Sequence, residues 1–498
     1  MPLRSPLWKW HRITQEDAPA DKSTGSDCAF KLVSSWLEDC ISNHKACWRP
    51  DFNQTTLPTR VIDVGLINGT RCPKLIDGNG AYGKYCALSH CWGERQVLTT
   101  TLDTLPERYG RLPLESMSKT FRDAVNICWN LGIPYLWIDS LCIIQDSKSD
   151  WETESCKMAD VYRNAHVVIA ALHAKDGSGG CFTARDGFVA RPIELPIRGV
   201  PPHSSTVRQL YWGLYDHKPV RDHGENPLET RGWTLQEWLL SRRLISYSRH
   251  DVGWECLSTK FSEREHEIVA REGFKPPFLE LRCAIQGTNI SGRNLRVTRR
   301  AKLREEWEKV VENYSARSLT DPNDKLIAIH GVAESLAKAT KDSYVAGLFK
   351  DWITVDMLWF CIPATSSPTN QTKQVAPSWS WASSSSPVRF LRDRQYPSPI
   401  RLFIPISRIV AINTDGSPVR HSGTVTLEGC YKIALGEYIR GGAQIFQTPE
   451  HKGFNFLEDV FGEVECRIRG QHKEDYNACW FPDAQHYTKM PPSIVFGE

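Results

Sequence analysis

The chain contains no C-x-x-C pair, no run of about 18 consecutive apolar residues and no marked excess of either charge. Each absence removes a class of protein. Without C-x-x-C, the cysteines do not read as zinc ribbons or as a thioredoxin-like dithiol. Without a long apolar run no membrane-spanning helix is expected, and the N-terminal MPLRSPLWKWHR lacks the apolar core of a signal peptide. The expectation is a protein held in the cytosol (cytoplasmic) or the nucleus, off the membrane, with reduced thiols. A formal net charge of +3 gives no global electrostatic case for nucleic acid. Also missing are G-x-x-x-x-G-K-[ST], the phosphate loop of nucleotide-driven engines, and G-x-S-x-G, the turn that exposes a hydrolase serine. No repeat period emerges, which argues against solenoids and propellers.

What is present is a globular composition, 41% hydrophobic and 24% charged, over 498 residues. That length exceeds one ordinary core, so two or three domains are expected. Tryptophan (18) and cysteine (16) are both abundant. Cys128, Cys142 and Cys361 lie in apolar strings, where a free thiol behaves as a small hydrophobe.

Residues 1–27 are polar and expected to be disordered, and 28–80 flank the domain that follows. The flank opens with Phe30, Leu32, Val33, Trp36 and Leu37 at helical spacing, then a strand-like segment from Leu57 to Val64 and a turn-rich hairpin from Asn68 to Gly83. Residues 81–258 alternate strands and helices. Strands are expected at Tyr85–Ser89, Tyr135–Ile138 and His166–Leu172. One intervening helix carries Phe121, Ala124, Val125 and Cys128 and stops at Gly132 and Pro134; the other carries Trp151, Ser155, Met158, Ala159 and Tyr162. Thr120-x-x-Asp123, Ser149-x-x-Glu152 and Thr234-x-x-Glu237 read as capping boxes. This alternation predicts an α/β fold with a parallel sheet and right-handed crossovers. Further strands are expected around Val207–Leu214, Leu244–Tyr247 and Val252–Cys256.

Residues 290–361 read as helical, with stripes at Leu303, Trp307, Val310, Val311 and Tyr314, then Leu326, Ile329, Val332, Ala333 and Leu336, then Trp352, Val355, Leu358 and Trp359. After a polar linker at 362–376, a β-rich C-terminal region spans 377–498, opened by Trp379–Ser380–Trp381 and including the alternating segment 423–434.

Three blocks stand out. They are Leu88–Ser89–His90–Cys91–Trp92–Gly93, Trp137–Ile138–Asp139–Ser140–Leu141–Cys142–Ile143–Ile144–Gln145–Asp146 and Arg231–Gly232–Trp233–Thr234–Leu235–Gln236–Glu237. In order and spacing they resemble the signature of the fungal heterokaryon incompatibility (HET) domain family. The flanks resemble the same family's architecture through Trp36, Leu37, Cys40, His44 and Cys47, through Asp321–Pro322–Asn323–Asp324–Lys325 and through Pro377–Ser378–Trp379–Ser380–Trp381. The resemblance implies a role in nonself recognition, innate immunity and programmed cell death in filamentous fungi, with other incompatibility proteins or further copies of the chain as partners.

The strand–helix order is also similar, more distantly, to the TIR domain, a flavodoxin-like fold. There a Trp-Cys-x-x-Glu-Leu helix carries the glutamate that cleaves NAD. The matching positions are Trp233 and Glu237, with Thr234 in place of the Cys and Trp238 in place of the Leu. The resemblance therefore implies an NAD hydrolase with NAD as substrate, no resident cofactor and no catalytic metal. Departure of nicotinamide passes through an oxocarbenium-like state, which needs a carboxylate near the ribose and a pocket for the leaving ring.

Glu237 is the candidate for that carboxylate, or else completes a capping box with Thr234. Asp139 leaves a strand where open α/β sheets bind ligands, so it orients a ribose hydroxyl or caps the next turn. Ser89, His90 and Trp92 leave the preceding strand at the same edge. Trp92 either stacks on a ring of the ligand or packs in the core, and His90 is a general acid or base or a structural histidine. Arg231 and Trp233 complete the binding candidates, Arg231 meeting a phosphate or a neighbouring acid. Gln145 and Gln236 have no assignable task, and Asp146 caps the following segment. Cys40-x3-His44-x2-Cys47 gathers three metal-capable groups, but with no visible fourth and a spacing unusual for zinc it reads as packing. The basic stretch Arg293–Arg304 runs into Glu305, Glu306 and Glu308, which favours a salt-bridged helix start over a phosphate patch or nuclear signal.

Overall fold

Tyr85–Ser89 and Val167–Ala171 are buried at every position, as strands covered on both faces must be. The computed structural model describes residues 23–48, 55–184, 226–263, 277–288 and 296–390, apart from 68, 70, 94–97, 358, 362–374 and 378, together with the backbone of seven strands between 407 and 496. The chain forms two compact units, Met1–Glu229 with Ser241–Pro277, and Thr230–Leu240 with Phe278–Glu498.

The first unit runs α1 (Asp27–Asn43), β1 (Arg60–Asp63), β2 (Lys74–Asp77), β3 (Tyr85–Ser89), α2 (Leu105–Gly110), α3 (Lys119–Leu131), β4 (Tyr135–Trp137), α4 (Asp139–Cys142), α5 (Lys148–Asn164) and β5 (Val167–Ala171). After the excursion of the chain into the other unit it resumes with β6 (Arg243–Tyr247), β7 (Val252–Cys256) and β8 (Lys260–Ser262). The sheet order is β2-β1-β4-β3-β5-β6-β7-β8. Its centre, β4-β3-β5-β6, is parallel. Antiparallel pairs extend both sides, β1–β2 beside β4 and β7–β8 beside β6.

The parallel strands taken in chain order lie 2-1-3-4, the doubly wound order of flavodoxin-like folds. The chain moves outward from β3 to β4, then crosses back to β5. The order therefore reverses between β3 and β5, the position at which open α/β sheets as a class place their ligands. The parallel α/β fold agrees with the sequence expectation. The antiparallel margins go beyond that expectation, because alternation within a strand does not reveal its partner.

Helix starts differ from the expected boxes. Ser118, not Thr120, caps α3 by accepting from Phe121 N, and Ser147, not Ser149, caps α5 by accepting from Asp150 N. Thr120 instead hydrogen-bonds the Gly177 carbonyl at 3.0 Å. The buried side of α5 is Glu154, Met158, Val161 and Tyr162, whereas Trp151 is exposed. Glu154 tolerates burial because Lys157 bridges it at 3.0 Å. In the expected N-terminal segment, residues 1–22 lie outside the described residues, while Ser26 caps α1, whose first residue is Asp27. The expected strand at Val207–Leu214 also lies outside them.

The second unit contains α6 (Gly232–Leu240), α7 (Leu279–Ile285), α8 (Arg296–Ser315) and α9 (Ile327–Thr340). Both helical stripes from Leu303 and from Leu326 are buried as read from spacing. Each such aliphatic or aromatic side chain contributes roughly 1.5–3 kcal/mol on burial. The third expected stripe does not form one helix: Ile353–Asp356 is a single turn, α10, and Trp359–Cys361 pairs antiparallel with Val388–Phe390. The Trp359 indole N–H is satisfied by the Trp379 carbonyl at 3.0 Å. Trp381 begins a 3-10 turn rather than a strand. Beyond residue 406 the backbone forms a four-stranded and a three-stranded antiparallel sheet, with the expected segment at 423–434 contributing Gly423–Gly429 to the first.

Candidate functional site

Three loops leave the carboxyl ends of β3, β4 and β5. The first is His90–Gly93. Gly93 has φ +74°, and a Cβ there would come within 2.2 Å of the Asp176 Cβ, so only glycine lets this loop close against the one that follows β5. That later loop is tied to α3: Asp123 accepts from the Cys181 and Phe182 amides, and Lys119 Nζ donates to the Gly179 and Phe182 carbonyls.

Asp139 opens the second loop, directly beyond β4. Its Oδ2 accepts the Trp92 indole N–H at 2.9 Å, and its Oδ1 accepts the Ser140 amide at 2.7 Å. His90 Nδ1 lies 3.8 Å from Oδ1. The His90 ring is almost wholly buried, edge-on to Phe121 at 5.2 Å, whereas the Asp139 side chain keeps 20% of its surface exposed. Trp92 is half-buried and Ser89 buried. The structure thus brings together Asp139, His90 and Trp92, three of the residues singled out from sequence, at one carboxylate that remains accessible.

The rest of the second block is scaffolding. Gln145 Nε2 donates to the Asp139 carbonyl at 3.2 Å and the Ile143 carbonyl at 2.9 Å, and Asp146 accepts the Leu102 amide at 2.9 Å. Burial pushes the Cys142 thiol up to about 12, which disqualifies it as a nucleophile near neutral pH. A pair that sequence reading passed over fixes this block from below. Arg60 donates to the Cys142 carbonyl at 2.8 Å and to Asp150 at 2.5 Å, and Asp150 accepts the Ile144 amide at 2.8 Å. The only signal was a lone arginine entering an apolar strand.

The third block belongs to the second unit. Arg231 bridges Ser318, and Gly232 N donates to the Ser318 carbonyl at 2.8 Å. A Cβ on Gly232 would meet Leu319 at 2.5 Å. Trp233 donates its indole N–H to Asp324 at 3.2 Å, so the third block is fastened to the Asp321–Lys325 motif. Thr234 does not cap the helix. α6 begins at Gly232, and the Thr234 hydroxyl donates to the Arg231 carbonyl at 2.9 Å while accepting from Arg317 at 3.1 Å. The capping-box reading of Glu237 fails with it. Glu237 is buried, 5% exposed. Gln236 gains a task, accepting the Gly331 amide at 2.8 Å. Lys325 lies over the Trp381 ring at 5.8 Å, and burial pulls its ammonium down to about 8.

A second chemical cluster lies in the first unit. Cys40, His44, Cys47 and Cys256 place their ligand-capable atoms within 4.8 Å of one another. All three thiols are fully buried. Cys256 is held far below a free thiol's range by hydrogen bonds from Cys40 and Cys47, and His44 is raised to about 10, chiefly by its hydrogen bond to Cys256. The fourth group, absent from the local spacing, comes from Cys256, 212 positions from His44.

Among the described residues no helix is long and apolar enough to cross a membrane. No curated protein and no solved structure matches the chain. Residues 85–237, from the first residue of β3 to the glutamate of the third block, match the family model described as Heterokaryon incompatibility protein (HET), and the chain therefore carries a domain of the heterokaryon incompatibility family.

Proposed function

We propose that this protein serves nonself recognition and programmed cell death in a filamentous fungus, and that its HET domain binds and hydrolyses NAD at the carboxyl edge of its parallel sheet. The observation carrying this reading is Asp139. It is a partly exposed carboxylate just beyond β4, gripped by Trp92 and flanked by His90, beside the point where strand order reverses. The chemistry it suits is modest. The nicotinamide of NAD is already cationic and leaves without an acid, so the site must hold the ribose and stabilise its developing positive charge. Asp139 is the group for that task, Trp92 offers an aromatic face beside it, and the Trp92 indole and the Ser140 amide fix the orientation of the carboxylate, with buried His90 at its flank.

Incubating the full chain with NAD, dilute and under crowding, and following nicotinamide release tests this. Release from wild type that falls at least about 100-fold in Asp139→Asn supports the reading, that being the ordinary weight of one electrostatic group in a transition state. Glu237→Gln is the companion variant. The TIR resemblance gives the cleaving role to Glu237, and loss of release there with retained NAD binding would move the chemistry to that residue and leave Asp139 a binding group.

A second reading is a non-enzymatic module that kills by assembling with other copies or with another incompatibility protein. The burial of Glu237 favours it. Cell killing by wild type and Asp139→Asn alike, with no nicotinamide released, would establish it.

A further inference from the structure

We infer that Cys40, His44, Cys47 and Cys256 form a structural zinc site that clamps the N-terminal flank to the far side of the HET sheet. The donor set is three sulfurs and one imidazole, a combination that zinc takes as a closed tetrahedron. Zinc–sulfur bonds near 2.3 Å and a zinc–nitrogen bond near 2.0 Å put neighbouring ligand atoms about 3.5–3.8 Å apart. The mutual limit of 4.8 Å leaves only a small contraction to make, and His44 Nδ1 already stands 3.3 Å from Cys256 Sγ.

The surroundings are those of a metal site rather than of four side chains that merely pack. His44 presents Nδ1 to the sulfurs while Nε2 faces the Asp39 carboxylate at 3.3 Å, the carboxylate–histidine arrangement that fixes the tautomer of a zinc ligand. The Cys256 sulfur accepts the amides of Ser258 and Thr259, each at 3.4 Å, in the turn between β7 and β8, so the backbone folds around a sulfur that carries negative charge. Arg243, fully buried and opposite Cys256 in the β6–β7 register, donates Nε to Cys40 Sγ at 3.2 Å and Nη2 to the Cys47 carbonyl at 3.2 Å. Three thiolates and one zinc ion leave a net charge of −1, and this guanidinium balances it.

The C-terminal end of α1 supplies Cys40 and His44, the turn after it Cys47, and the end of β7 Cys256. The site therefore closes a loop that encloses β1 through β6. It belongs to the fold and stands apart from the NAD reading.

The test measures zinc in the full chain produced in zinc-supplemented medium and purified without chelator. One equivalent per chain is expected, with cobalt substitution giving the visible bands of a tetrahedral thiolate site. Cys47→Ser with Cys256→Ser should remove the metal, and Cys156→Ser, at an exposed thiol, should leave it. Asp39→Asn, a change at a half-exposed side chain, should fold and weaken zinc affinity about 10–100-fold. A wild-type chain that folds without zinc and cannot take up cobalt overturns the proposal, as does zinc retained equally by the double serine variant.

Discussion

The two ends of the parallel sheet are built of different material. At the carboxyl end, short loops hold a partly exposed aspartate between an indole and an imidazole. Beside the amino end of β6 lie three buried thiols, an imidazole and a buried arginine. The first arrangement keeps a charge accessible and surrounds it with groups that orient it, as ligand chemistry requires. The second withdraws its reactive atoms from water and links distant parts of the chain, which serves stability. Residue types alone do not separate the two ends; exposure and connectivity do.

The largest effect that separates the ends comes from the sulfur cluster. Removing zinc with a strong chelator, or making Cys256→Ala, should lower the stability of the first unit by about 4 kcal/mol or more, the range reserved for losing a metal or a core network. Thermal unfolding followed by circular dichroism reads this, and an unchanged melting temperature would erase the contrast.

Next is the support beneath the carboxyl edge. Arg60→Met strands Asp150 and frees the Cys142 carbonyl, and should cost about 3 kcal/mol in denaturant unfolding, the lower end for a broken buried pair because Asp150 is partly exposed.

Smaller still is Trp92→Phe, which removes one donor from Asp139 while keeping an aromatic ring. It should cost about 1 kcal/mol of stability yet weaken NAD binding more than Cys156→Ser does, measured by calorimetry.

The remaining effect is one of pH, nil at neutrality and growing only on acidification. His166, which enters β5 at the amino end, is pulled down to about 3 by burial and by the positive charge of Arg243. A histidine held neutral in the fold favours folding above its unfolded value near 6.5, and that contribution is lost as pH falls from there toward 3. His166→Phe should flatten the acid limb of the stability curve over that window, and an unaltered limb would show that the imidazole does not titrate with unfolding.

The carboxyl edge was legible in the sequence because each of its loops is a contiguous block directly after a buried strand: His90 and Trp92 after β3, Asp139 after β4. The amino end was not, because Cys256 enters from 212 positions beyond His44 and its tetrad has no sequence spacing to read. Caps were misplaced by two residues at Ser118 and Ser147 because serines and threonines crowd both helix starts, and only the first helical residue decides which of them caps. The third block shows a subtler limit. Thr234 and Glu237 stand at capping-box spacing, but the helix begins earlier, at Gly232, because its backbone pairs with Ser318. Long-range pairing of that kind leaves no local trace.

The most direct measurement is nicotinamide release from NAD by the full-length wild-type chain beside Asp139→Asn, both verified as folded. Release by wild type and its collapse, by about 100-fold or more, in the asparagine variant is the predicted result. Equal release by the two proteins, or none from wild type even when crowded and lethal to cells, would contradict an enzymatic carboxyl edge.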